Sequence, residues 1–291
     1  FIVGPTAVGK SELAAEVAQR TGAEIVSADA FQIYSGLDLL TAKPDSGTRA
    51  KALHQLIGFV PLNEEMNVER YRAAAEAIIQ RGKPAIVVGG TGLYVKALTH
   101  GMTKLPSANK TLREKLERVT SHELLRSLWE LDPAGAEKID EQNRRRLVRA
   151  VEVCLLTGKP FSSERTEWNE AAPANGVLLD RDRAELYARI NQRVEEMFAA
   201  GVVEEVRAAK NVGPTAEKTL GLREIQALLA GEISRAECIA RIQQATRRYA
   251  KRQLTWFRRQ TNFPSLNLSA HDPAEAVELI SQSASRVLAS G

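Results

Sequence analysis

The chain opens with Phe1-Ile-Val-Gly-Pro-Thr-Ala-Val-Gly-Lys-Ser-Glu-Leu-Ala, and no other stretch narrows the choice of fold as much. An apolar stub runs into Gly4, and Pro5, Thr6, Ala7 and Val8 separate it from Gly9, Lys10 and Ser11. This is a G-x-x-x-x-G-K-S phosphate loop, set as it must be between a strand and a helix. Its glycines let the backbone curl until several N–H groups aim at one spot, and the start of the helix adds a partial positive charge there. Lys10 suits a terminal phosphate oxygen, and the Ser11 hydroxyl suits Mg²⁺. The ligand is a polyphosphate, and the pattern leaves open whether that is ATP or another diphosphate.

A helix over residues 12–20 should stop at Gly22, and Ala23-Glu-Ile-Val-Ser reads as a short strand ending at Ala28-Asp29. Sheets of this type bind ligands at the carboxyl ends of their strands, so Asp29 is expected beside the phosphate loop. A carboxylate there serves as a general base or takes Mg²⁺ through water; the plainer alternative is a helix cap or a surface aspartate. The apolar strand Ala85-Ile-Val-Val runs into Gly89-Gly90-Thr91-Gly92. Asp29 is then the only strand-end carboxylate expected, which weakens an ATP-hydrolase reading. Residues 30–44, broken by Gly36 and Pro44, read as a long functional loop. His54-Gln-Leu-Ile-Gly-Phe reads as a strand near the sheet edge, and residues 68–80 as an alanine-rich helix. Residues 111–157 are helical in pattern throughout, and Val177-Leu-Leu is a returning strand. Helices follow over residues 184–200 and 236–259, then a polar tail with a last helix from about Pro273. The expectation is an α/β protein. A P-loop core, a parallel sheet flanked by helices, is expected over residues 1–110 and 171–291, with an all-helical insertion domain over residues 111–170.

Composition adds limits. With 44% hydrophobic and 26% charged residues in 291, the chain can bury an ordinary globular core. No apolar run is long enough to span a bilayer and no secretory signal is visible, so no membrane partner is expected. Cys154 and Cys238 form neither a zinc pattern nor a disulfide framework, which points to the reducing cytoplasm. The chain starts in mid-strand without Met, which points to a short preceding segment.

Charge is informative through its distribution. Between Cys238 and His271 there is no Asp or Glu, while Arg241, Arg247, Arg248, Lys251, Arg252, Arg258 and Arg259 all fall there. Such a cluster is a footprint for polyanions. Arg144, Arg145, Arg146 and Arg149 form a second cluster in the helical region; alone, it would be an ordinary solvated helix face. Tyr249, Trp256 and Phe257 lie among the C-terminal cations and suit stacking on extruded bases. Helical spacing equally puts Ile242, Ala245, Tyr249 and Trp256 on one inward face. A small-metabolite kinase explains the loop but leaves both cation clusters without a task. An isopentenyltransferase acting on free adenine nucleotide has no need of the insert arginines. A non-catalytic RNA-binding switch has no need of Asp29.

Taken together, these stretches resemble the bacterial tRNA dimethylallyltransferases. The likeness spans residues 4–258. It rests on the phosphate loop, on Ser27-Ala-Asp-Ala-Phe-Gln-Ile-Tyr-Ser-Gly-Leu-Asp with Thr41-Ala-Lys-Pro, on Val88-Gly-Gly-Thr-Gly-Leu-Tyr, on Arg146-Leu-Val-Arg-Ala-Val-Glu-Val with Thr157-Gly-Lys-Pro, and on Thr246-Arg-Arg-Tyr-Ala-Lys-Arg-Gln-Leu-Thr-Trp-Phe-Arg. The resemblance implies prenylation of the exocyclic amine of the adenosine 3′-adjacent to the anticodon. It also implies a P-loop nucleotide-kinase-like α/β core with a helical insert that closes over the tRNA anticodon stem-loop, and a phosphate loop that holds dimethylallyl diphosphate with Mg²⁺. By position it makes Asp29 the catalytic base and Thr6 a residue at the reacting centre, and the displacement this entails makes Lys10 a catalytic cation, because its ammonium stabilises the charge on the leaving diphosphate. Arg247 would be an arginine on the leaving diphosphate. Thr91 and Arg113 match tRNA-contacting positions. Four segments match RNA-contacting ones: Asp29, Ala30, Phe31 and Gln32; Arg145, Arg146, Leu147, Val148 and Arg149; Thr219, Leu220, Gly221, Leu222, Arg223 and Glu224; and Lys251, Arg252, Gln253, Leu254, Thr255, Trp256, Phe257 and Arg258. Such an enzyme is expected to act as a monomer. The chain departs from the family's usual residues at Ala30 (Ser), Leu40 (Gly), Asn143 (Asp), Arg145 (Gln), Leu222 (Tyr) and Arg223 (Lys).

Overall fold

The computed structural model describes residues 1–101, 105–164 and 175–289. The chain divides into two compact units, Phe1–Thr99 with Pro173–Gly291, and His100–Ala172. The first half of the former runs β1 (Ile2–Val3), α1 (Lys10–Thr21), β2 (Glu24–Ser27), α2 (Ser46–Ala50), β3 (His54–Gln55), α3 (Val68–Ile79), β4 (Ala85–Gly89) and α4 (Gly92–Thr99). The second unit holds α5 (Lys110–Leu116), α6 (Ser121–Leu131), α7 (Pro133–Lys138), α8 (Arg144–Thr157) and α9 (Phe161–Glu164). The first unit resumes with β5 (Val177–Asp180), α10 (Arg183–Ala199), α11 (Val202–Ala208), α12 (Leu222–Leu229), α13 (Arg235–Gln260), β6 (Ser265–Asn267) and α14 (Pro273–Ala289).

The strands form one parallel sheet in the order β3-β2-β4-β1-β5-β6. Ile2 pairs with Val88 on one side and Val177 on the other, so β1 is central and all carboxyl ends open the same way. Alternation sorts the strand side chains onto two faces. Ile2, Ile25, Ile86, Val88 and Leu179 join Leu13, Val17, Ile190 and Ile280 in one core. Val3, Val26, Val87 and Leu178 point the other way, onto Tyr34, Tyr71, Tyr94 and Phe257. Both faces are covered, which is why these strands read as unbroken apolar runs.

Some expectations need correction. The polar tail contains a strand, β6, whose Leu266 pairs with Leu179; three residues with one apolar side chain carry no strand signal of their own. Residues 30–44 do form a long loop, but a packed one. Ile33, Tyr34, Leu37 and Leu40 are buried in it, and the Glu205 carboxylate accepts the N–H groups of Leu39 and Leu40, both at 2.8 Å. Leu40, where the family usually has glycine, adds its side chain to the core formed with Phe198, Leu222 and Ile225. On α13 the buried stripe is Cys238, Ile242, Thr246, Ala250, Gln253 and Phe257, so the inward face is turned from the expected one. Ala245, Tyr249 and Trp256 flank it, half-buried.

The second unit is built on its own core of Leu116, Leu124, Leu128, Leu147 and Val151. A capping box between Thr120 and Glu123 starts α6. Buried Asp132 starts α7 and also takes the N–H and hydroxyl of Ser162. Asn143, one of the departures, caps α8 by accepting the Arg146 N–H. Both cysteines are free and buried. Among the described residues, no helix is long and apolar enough to cross a membrane.

Phe257 is fully buried, which assigns it to the core and removes it from base stacking. Phe257→Ala is expected to cost about 3–5 kcal/mol in urea unfolding, and a loss below about 1 kcal/mol contradicts that assignment.

Candidate active site

The turn out of β1 is tight enough to exclude any side chain at Gly4: a Cβ there would lie 2.5 Å from the Leu179 carbonyl oxygen. Curling the loop's N–H groups inward turns its carbonyls outward, and each then needs a donor. Lys10 Nζ donates to the Pro5 carbonyl at 2.7 Å. Arg189 Nε donates to the Ala7 carbonyl at 2.9 Å, and Arg181 Nε to the Val8 carbonyl at 2.8 Å. Gly9 caps α1 without a side-chain hydrogen bond, so no cap side chain competes for the first-turn N–H groups.

The loop opens on a cleft with about 650 Å³ of empty space, counting the part open to solvent. Thr6, Ala7, Gly9, Lys10 and Ser11 line it, as do Asp29 and Gln32. Ala14, Ile25, Ile57 and Val88 give it an apolar part. Gly4, Pro5 and Val8, also expected to bind the diphosphate, are not among the residues that line the cleft. Asp29 Oδ1 accepts the N–H groups of Phe31 at 2.9 Å and Gln32 at 3.3 Å. Asp29 therefore caps a turn and no helix, and its Oδ2 has no hydrogen-bond partner among the described residues. Thr91 ties the loop after β4 to the one after β2: its N–H donates to the Ala28 carbonyl, and its hydroxyl accepts the Ala30 N–H at 2.9 Å.

Electrostatics link these groups. Burial pulls the Lys10 pKa down to about 8; the Asp29 charge acts against that fall and the Arg193 charge adds to it. Arg193, not expected from the sequence, lines the cleft. Arg247, the expected diphosphate arginine, donates instead to Asn191 Oδ1, lies over the Tyr187 ring at 5.9 Å, and is absent from the cleft lining. Arg189 and Arg193 stand one turn apart on α10, a spacing visible in the sequence but ordinary for a solvated helix. Asp29 is also not the only strand-end carboxylate. β5 ends in Asp180, which is buried, accepts from the Arg181 N–H and the Arg258 guanidinium, and stands outside the cleft lining.

The sequence and the fold are shared with known proteins. The family description "IPP transferase" matches residues 32–260, and "Isopentenyl transferase" matches residues 1–50. The chain belongs to the IPP transferase family. Curated relatives include the tRNA dimethylallyltransferase of Akkermansia muciniphila, 40% identical over 95% of this chain and 96% of that one. The tRNA dimethylallyltransferase of Phenylobacterium zucineum is 44% identical over 94% and 93%. Among solved structures, the tRNA isopentenylpyrophosphate transferase of Bacillus halodurans superposes with a TM-score of 0.69 at 31% identity, covering 98% of this chain and 96% of that one. A eukaryotic dimethylallyltransferase acting on tRNA gives a TM-score of 0.79 at 26% identity, over 92% of this chain and 73% of that one.

In this IPP transferase the segments expected to meet RNA divide by exposure. On α13, Lys251, Arg252, Thr255 and Arg258 are exposed, Leu254 and Trp256 half-buried, and Gln253 and Phe257 buried. Arg252 lies over the Tyr249 ring at 5.7 Å. In residues 219–224, Arg223 is exposed, Leu220 and Glu224 are half-buried, and Thr219, Gly221 and Leu222 are buried. In the second unit Arg145 and Arg146 are exposed, whereas Leu147 and Val148 belong to the core. Buried Phe257, Leu222, Leu147 and Val148 have no surface to offer RNA, a correction to their place in contacting segments. Their neighbours carry the charge.

Within the second unit the arginine cluster splits further. Arg144 holds the Glu117 and Val119 carbonyls between α5 and α6. Arg113 and Arg149 both pair with Glu152 Oε2, at 2.6 and 2.8 Å, and Glu152 Oε1 accepts the Asn109 N–H. The Glu152 side chain is fully buried. Burial pushes its pKa up, but the hydrogen bonds and charges of Arg149 and Arg113 outweigh that and hold it below the ordinary glutamate value. Nothing in the sequence singled out Glu152, because a glutamate beside arginines on a helix is commonplace.

Two predictions follow from these charges. A diphosphate seated on Lys10 restores its proton, so binding inorganic pyrophosphate takes up a proton above pH 8. Calorimetry in two buffers of different ionisation enthalpy is expected to show that uptake, with affinity falling between about pH 8 and about pH 10, and Lys10→Met is expected to lack it. The Glu152 contribution to stability is complete above the unfolded-state pKa of about 4.3 and disappears as pH drops through its lower folded-state value. Thermal melts are expected to show that Glu152→Gln lowers the melting temperature at pH 7 and flattens the acid-induced loss.

Proposed function

We propose that the protein transfers a dimethylallyl group from dimethylallyl diphosphate to the exocyclic N6 amine of the adenosine 3′-adjacent to the anticodon in tRNA. The observation that carries this reading is one cleft lined both by a phosphate loop and by a carboxylate whose Oδ1 is held by backbone N–H groups. Kinship over nearly the whole chain with tRNA dimethylallyltransferases supports the choice of donor and acceptor.

The N6 lone pair is delocalised into the purine ring, so the amine is a weak nucleophile. As the nitrogen–carbon bond forms, the carbon–oxygen bond to the diphosphate breaks and its electron pair leaves with that oxygen. Asp29 accepts the amine proton, a role worth roughly 10²–10⁴-fold in rate. Thr6 lies in the loop beside the reacting centre. The N–H groups of residues 7–11, the Lys10 ammonium and Arg193 stabilise the charge gathering on the leaving diphosphate. The apolar wall of Ile25, Ile57 and Val88 suits the prenyl chain.

Mg²⁺ fits this donor set as an ion that arrives with the diphosphate. Among the described residues no three His, Cys, Asp or Glu side chains form a cage, whereas the Ser11 hydroxyl lines the cleft. Ser11 would hold the ion along with phosphate oxygens and water, and the ion would neutralise charge on the leaving group. The adenine must leave its stack, which costs least in an unpaired loop and so favours an anticodon loop over a duplex. Lys251, Arg252, Arg145 and Arg146 offer exposed charge for RNA phosphates. In this reading the protein works as a monomer in the cytoplasm.

Incubation with dimethylallyl diphosphate, Mg²⁺ and unmodified tRNA, followed by mass analysis of nucleosides, is expected to yield N6-(dimethylallyl)adenosine. Asp29→Ala is expected to abolish that product while tRNA affinity stays within about tenfold. Lost tRNA binding with substantial residual turnover contradicts the base role.

A further inference from the structure

One polar side chain in the buried stripe of α13 has partners far from its own helix. Thr246 satisfies its hydroxyl on the Ile242 carbonyl within the helix. Gln253 does not. It is 5% exposed, and a buried amide needs both of its ends met. Its Oε1 accepts the Thr6 N–H at 2.9 Å, and its Nε2 donates to the Gly90 carbonyl at 2.9 Å. Thr6 belongs to the phosphate loop after β1, and Gly90 to the loop after β4, the adjacent strand. The amide therefore bridges two loops at neighbouring strand ends, from a helix some 250 residues further along the chain.

The surroundings are shaped for this bridge. A Cβ on Gly90 would lie 2.2 Å from Gln253 Nε2, so the missing side chain there is what admits the amide. Tyr249, one turn earlier on α13, stands beside the side chains of Thr91 and Gln253. Thr6 lines the cleft, and Gln253 does not. Because the Thr6 N–H is taken by Gln253, the N–H groups left to face a ligand begin at Ala7.

We propose that Gln253 is a positioning residue for the donor diphosphate and not an RNA contact. By fixing the Thr6 peptide and the Gly90 carbonyl, it sets the aim of the phosphate loop and of the Thr6 side chain. This rests on the reading that a diphosphate sits in the loop.

The test separates donor from RNA. Gln253→Met keeps the volume and removes both hydrogen bonds. Gln253→Glu keeps the acceptor for Thr6 and sets a second oxygen against the Gly90 carbonyl. Gly90→Ala displaces the amide with Gln253 unchanged. Inorganic pyrophosphate affinity is measured by calorimetry without RNA, tRNA affinity by filter binding without donor, and folding by circular-dichroism melts. All three variants are expected to weaken pyrophosphate binding by roughly 5- to 100-fold and to lower kcat, with the tRNA Kd within about twofold. Should Gln253→Met fail to fold, the other two variants carry the same comparison. A tRNA Kd raised about tenfold with unchanged pyrophosphate binding overturns the proposal in favour of an RNA contact, and no change in either reduces Gln253 to core filling. If the wild-type protein binds pyrophosphate but transfers no dimethylallyl group, the proposed reaction fails while the pyrophosphate measurements still decide the role of Gln253. If it binds no pyrophosphate, the positioning role is overturned as well.

Discussion

An anion cradle made of backbone exists only if the reverse side of that backbone is satisfied. Every N–H turned inward between Gly4 and Ser11 turns a carbonyl away, and carbonyls stranded inside a protein are costly. Here the donors are Lys10 on Pro5, Arg189 on Ala7 and Arg181 on Val8. Two of the three come from the segment that follows β5, on the far side of the sequence insert. The cradle therefore forms only when β5 docks beside β1 and brings Arg181 and Arg189 behind it.

The parallel sheet then does the gathering. Because all strands point the same way, the loops after β1, β2 and β4 emerge together. The phosphate loop, Asp29 and the Gly89–Thr91 turn become neighbours although some 80 residues separate the first from the last. Besides the backbone bond from Thr91 to Ala28, side chains tether these loops, Thr91 on Ala30 and Gln253 on Thr6 and Gly90. α13 presents Gln253 and Phe257 inward and Lys251 and Arg252 outward, so one helix serves both the sheet and the solvent-facing charge.

Several arginines in this chain are structural. Arg258 balances buried Asp180, Arg144 holds carbonyls between two helices, and Arg113 and Arg149 share Glu152. Three of the departures from the family's usual residues carry visible work: Leu40 and Leu222 fill core and Asn143 caps α8. Nothing in the structure explains Arg145 in place of glutamine.

The sequence by itself determined the phosphate loop, the parallel α/β class, the helical nature of the insert and the candidacy of Asp29. These are local properties: glycine spacing, apolar runs and strand ends are read within a dozen residues. Thr6, Lys10 and Ser11 of the loop line the cleft, as does Gln32, which the family resemblance alone had singled out. Only tertiary structure decided which arginine stands in the cleft, because Arg193 and Arg247 look alike in a string of residues and differ by which helix packs where. The inward face of α13, the edge strand β6, and the burial of Gln253 and Glu152 likewise depend on what lies opposite each side chain. Burial and partnership are pairwise facts, and a single strand of text does not contain the partner.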